Sequence, residues 1–206
     1  RDAARLLTTM RDAKVLLQTF DKVVEQTGKT SGAAVFVELR RSLQQELSLN
    51  RTQLQANDIA AIRKRLNAVT RSLRRLSDTR LDQDCVDTAI KRAHKKARKA
   101  FKATEREPSD ENLHEWRKQV KYELNQLELL QPLKPKRIGA IVRKTHKLGD
   151  YLGDDHDLAI LYERIVTRSS QENIAANTDA LLKVLKRIRA KLQRKAHRLG
   201  KSFYVD

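Results

Sequence analysis

From Ile59 to Leu76 the apolar residues Ile59, Ile62, Leu66, Val69, Leu73 and Leu76 fall three and four positions apart for five turns. The same spacing returns in Val86, Ile90, Ala93, Ala97, Phe101 and Thr104, in Leu113, Trp116, Val120, Leu124 and Leu127, and in Ile138, Ile141, Thr145, Leu148 and Leu152. Only a helix lines such positions up on one face. The chain holds 6 Gly and 3 Pro among 206 residues, so little interrupts these rows. The fold class expected is all-α.

The charged residues also follow helical spacing. In the stretch His114 to Leu130, His114, Arg117, Lys118 and Lys121 recur at i, i+3, i+4 and i+7 and form a row of donors. At about 100° per residue this row lies roughly 120° from the apolar row, beside the core rather than opposite it. Such a row is expected to line a groove between packed helices, where like charges repel and an anion relieves them. The helix before it gathers Lys91, His94, Lys95, Arg98 and Lys102 on one flank. Arg137 and Lys144 flank the row after it, and Arg63 and Arg74, with Asn67, flank the row from Ile59. The plain alternative is a solvated basic face whose long stems cover core edges.

Lys and Arg total 44 against 26 Asp and Glu, a formal charge of +18, which calls for an anionic partner. Aromatic residues are 4%, few for stacking nucleic-acid bases, which favours an anion without bases. The lone Cys85 is expected to be a small buried apolar group in a reducing cytosol. No apolar run is long enough to span a membrane.

Several chemical motifs fail on inspection. Gly28-Lys29-Thr30 lacks the earlier Gly of a phosphate-binding loop, because Val23 stands there. His114-Glu115 begins a zinc-protease motif, but Lys118 occupies the place of the second His. Asp150, Asp154, Asp155 and Asp157, with His146 and His156, offer metal-ligand types. They read better as caps and as partners for surplus Lys and Arg at a turn between helices. No nucleophile–base pair is legible, so no enzyme, cofactor or metal site is expected.

Along the chain, Arg1 to Gln26 reads as two helical pieces meeting at Thr8–Asp12. Thr27 to Ala33 reads as a loop, Val35 to Leu49 as a short helix, and Asn57 as the cap of the next. Pro108-Ser109-Asp110 breaks the chain, and Ser109 or Asp110 caps the helix carrying His114. Pro132 and Pro135 end that helix; Asp157 to Arg168 and Thr178 to Gly200 are two more, the last closed by Gly200. The segment Leu7–Leu16 overlays Leu152–Leu161 in its apolar positions and its Asp. With Ser77 to Asp82 as the boundary, the expected domains are 1–80, a first helical half, and 81–206, a second half carrying the donor row.

His114-x-x-Arg117-Lys118-x-x-Lys121-Tyr122, after a basic helix and Pro108, resembles the signature of the conserved histidine α-helical domain, the CHAD domain. Leu148-Gly149-Asp150-Tyr151-Leu152-Gly153-Asp154-Asp155-His156-Asp157-Leu158 resembles that family's second recurring segment, and Arg11–Leu16 its copy in the first half. The resemblance spans nearly the whole chain. It implies two four-helix halves with pseudo-two-fold symmetry around a central basic channel. It implies a non-catalytic module that binds inorganic polyphosphate, with phosphate or sulfate as mimics, in the cytoplasm or on polyphosphate granules. His114, Arg117, Lys118 and Lys121 match the family's contact positions, with Lys91, His94, Lys95 and Arg98 beside them. The chain begins at Arg1, in mid-pattern and without Met, and is expected to be a fragment lacking the first half's own His-x-x-Arg helix. The alternative reading is a helical binder of double-stranded nucleic acid, with no membrane partner in either case.

Overall fold

The computed structural model describes residues 2–27, 33–53, 56–76, 83–132, 135–172 and 175–205. These form seven helices: α1 Asp2–Thr27, α2 Ala33–Gln53, α3 Ala56–Leu76, α4 Gln83–Arg106, α5 Asp110–Leu130, α6 Pro135–Glu172 and α7 Ala175–Tyr204. No strand occurs among the described residues, as the periodicity requires. Two compact units result: Arg1–Arg80 with Glu163–Leu182, and Leu81–Tyr162 with Lys183–Asp206. Residues 163–182 therefore group with the first unit, away from the rest of 81–206.

In the first unit α1 packs on α2 and, less extensively, on α3. Ala13, Leu16, Phe20 and Val23 bury one face of α1, with Leu43 of α2 buried as well. The Phe20 and Phe36 rings meet at 6.3 Å. Arg40 of α2 donates to Asp21 of α1 at 2.8 Å. The expected break at Thr8–Asp12 does not occur, because α1 runs through it unbroken. Asn57 lies within α3, which starts at Ala56. The expected loop at 27–33 falls mostly outside the described residues, Thr27 ending α1 and Ala33 starting α2.

The α3 row departs most from expectation. Its spacing predicts a core face, yet Ile59, Leu66, Val69 and Leu73 are 48%, 58%, 56% and 60% exposed. Periodicity states which residues share a face and not whether a neighbour covers that face.

The second unit is built on α4 and α5, whose apolar rows meet. Ala97, Ala100 and Phe101 pack with Leu113, Trp116 and Val120, and Leu148 and Leu152 of α6 and Ala196 and Tyr204 of α7 complete the cluster. Phe101 and Trp116 lie 5.1 Å apart, ring to ring. Ser109 caps α5, its side chain accepting the Asn112 N–H at 3.2 Å, which satisfies one of the helix's orphan donors. In α6, Val142 is buried and Ile141 is exposed, a one-residue shift from the predicted row.

Two stops predicted in this unit are absent. α6 continues through 149–157, where a turn was expected, and α7 passes Gly200 to end at Tyr204. Pro135 opens α6, a position where its missing N–H costs nothing. Gly200 is there because a Cβ would stand 2.7 Å from Trp116 and 2.8 Å from Phe101. Gly200→Ala gains helix propensity of about 1 kcal/mol. It also drives a methyl into two fully buried rings, and overpacking of this kind costs about 1–3 kcal/mol. We expect a net loss of stability, read as a lower urea midpoint at unchanged slope; an equal or higher midpoint would mean that the rings yield freely.

Candidate functional site

The site grows from the side of α5 next to its buried row. Leu113, Trp116, Val120 and Leu127 are buried, and this fixes the rotation of the helix. His114 and Lys121 are exposed and Arg117 is half-buried, so the donor row does run along the edge of the core. Facing it is α6. The His114 and His156 rings lie 4.9 Å apart. Arg117 Nε passes over Gly153, 4.0 Å from where a Cβ would be. His156 sits half-buried between these groups. Burial first, then the charges of Arg117 and His114, push its pKa down to about 4. The sequence reading left His156 among acidic neighbours; the signal that could have found it is its place one turn after Gly153 in the second motif.

A network of acids and one arginine holds the two helices in this pose. Asp155 of α6 is buried and accepts from Arg189 Nε and Gln193 Nε2 of α7, both at 3.1 Å. The guanidinium of Arg189 also bonds Asp110 in the first turn of α5. Burial raises the Asp155 pKa, and Arg189 opposes the rise. The Asp residues read as turn caps are thus inside a helix, with Asp155 a buried ion-pair partner. Among the described residues no group of three or more His, Cys, Asp or Glu is arranged to hold a metal ion.

The other predicted residues divide. Lys118 donates to Glu115 at 2.8 Å and draws that carboxyl's pKa down, so it is engaged along its own helix. On α4, Lys91 and Lys95 are exposed and Arg98 is half-buried. His94 Nδ1 bonds Glu123 of α5 at 2.8 Å, and the second oxygen of Glu123 accepts the Tyr204 hydroxyl at 2.7 Å. Glu123 is buried, and nothing in the apolar pattern of α5 announced it. Lys144 is exposed on α6; the side chains of Arg137 and Cys85 lie outside the described ones. In the first unit Arg63 and Arg74 line one groove of about 650 Å³ along α3, with Lys64, Asn67 and Arg71.

A family model of the CHAD domain matches residues 1–166. The chain belongs to the CHAD domain family. The match takes in α1 through α5 and most of α6, including both motif segments. Comparison with curated proteins and with solved structures finds no match. Within this CHAD domain the two motif segments meet in space. The His114–Arg117 edge of the first faces the Gly153–His156 edge of the second. No described helix is long and apolar enough to cross a membrane.

Proposed function

We propose that this CHAD domain is a non-catalytic, cytoplasmic binder of inorganic polyphosphate, with His114, Arg117, Lys121 and His156 as the centre of the site. The observation that carries the reading is the cluster of two imidazoles and a guanidinium on partly buried ground, where cations depress the basicity of a neighbouring histidine. A phosphate chain placed there reverses the sign of that interaction. Arg117 supplies planar paired donors and Lys121 a compact charge that tolerates a sliding register. The basic flank of α4 and the α3 groove extend the supply of cations. Scarce aromatics, with Trp116, Phe20 and Phe101 buried, leave few rings on which bases could stack.

Competition against duplex DNA at equal phosphate concentration tests the reading. Long-chain polyphosphate should displace labelled DNA and resist displacement by it, and orthophosphate should not be released with Mg²⁺ present. DNA that displaces polyphosphate would favour a nucleic-acid binder driven by the +18 charge, and released orthophosphate would make the domain an enzyme.

A further inference from the structure

The exposed face of α3 is a seam. Ile59, Leu66 and Leu73 with Ile62, Val69 and Leu76 alternate by three and four residues without exception, which places them at the a and d positions of successive heptads. Two apolar positions per heptad make a narrow strip suited to knobs-into-holes packing against one helix. A helix that lies on a membrane presents a broader face, commonly with Trp or Phe, and α3 has no aromatic residue.

The flanks of the strip say what kind of helix fits. Arg63 and Arg65, both exposed, occupy e and g positions beside it. The whole of α3 holds six Lys and Arg residues and one Asp. Two copies of the chain joined here would set these cations against one another, on molecules that each carry +18. Acidic flanks meet no such repulsion. We propose that α3 docks an amphipathic helix of a partner protein, with Leu or Ile at its a and d positions and Glu at e and g. The site is separate from the His114–His156 cluster and does not depend on the polyphosphate reading.

The test uses the whole 206-residue chain and a labelled three-heptad synthetic peptide with Leu and Ile at a and d and Glu at e and g, followed by fluorescence anisotropy. The peptide should bind saturably. Leu66→Ser with Leu73→Ser changes no charge and removes two exposed side chains, so the fold should stand by circular dichroism. It should weaken peptide binding about a hundredfold, from the lost burial of two leucines. Three results would overturn the proposal. One is a scrambled peptide of the same composition, without the heptad, that binds equally well. Another is sedimentation of the free chain as a dimer that the double variant dissociates, making a second copy the occupant. The third is binding to anionic phospholipid vesicles that the variant loses, with no peptide bound.

Discussion

Replacing Arg117 and Lys121 together with alanine should weaken polyphosphate binding by about a hundredfold or more and leave the helices intact. Arg117 lies over Gly153 beside His156, and Lys121 stands one turn further along the same edge of α5. Each charge-assisted bond lost is worth about 1.5–3 kcal/mol, and 1.4 kcal/mol is tenfold in affinity. The buried row Leu113, Trp116, Val120 and Leu127 is untouched, alanine favours the helix, and the repulsion of His156 is relieved. The control is Arg187 with Lys191, two exposed cations of α7 outside the motifs. An equal loss in the control would mean that net charge alone sets affinity. Unfolding of the Arg117–Lys121 variant would make those side chains structural.

The largest effect on stability should come from Arg189→Met, at about 3–5 kcal/mol, because it strands a buried carboxylate. Asp155 is 3% exposed and would keep only Gln193 as a partner. Asp155→Asn in the same chain removes the stranded charge and should recover much of the loss. The pH dependence has a definite sign. Burial holds the folded pKa of Asp155 above its unfolded value, so the neutral form is the one the fold tolerates. The deficit of Arg189→Met should therefore be full at neutral pH and shrink as pH falls through the carboxylate range. Urea unfolding of the single and double variants across that range measures both; a deficit below about 1 kcal/mol would show Asp155 to be adequately solvated without its partner.

How much of this was legible depended on whether a feature is local. The apolar rows of α4 and α5 were, since each helix buries one face against the other, and the Ser109 cap was, since it acts within four residues. The continuity of α1 and α6 was not. Thr8–Asp12 and Gly149–Asp157 hold Thr, Gly and Asp, weak helix formers, yet Leu148, Leu152, Asp155 and Leu158 are buried and carry α6 through. Glu123 and Asp155 were missed as buried acids because their partners Tyr204 and Arg189 lie 81 and 34 residues away. Gly200 was read as a stop when its role is steric, set by Trp116 and Phe101. The donor row on α5 was found, but His156 opposite it was not, because only the fold brings the two motif segments together.

The most direct measurement is the titration of the histidine imidazoles by nitrogen-edited NMR, with and without saturating polyphosphate. In the free domain His156 should titrate near 4, well below an ordinary histidine. A histidine so depressed binds its proton more readily unfolded than folded, so its contribution to stability is whole above about 6.5 and is lost as pH falls toward 4. Polyphosphate at the site favours the imidazolium. It should raise the His156 pKa and shift the His114 signals. His197, packed against Phe101 and Trp116 with ring distances of 5.7 and 5.3 Å, should stay where it is. Titration curves of His114 and His156 that do not move at saturation would contradict the account, since polyphosphate would then be bound elsewhere.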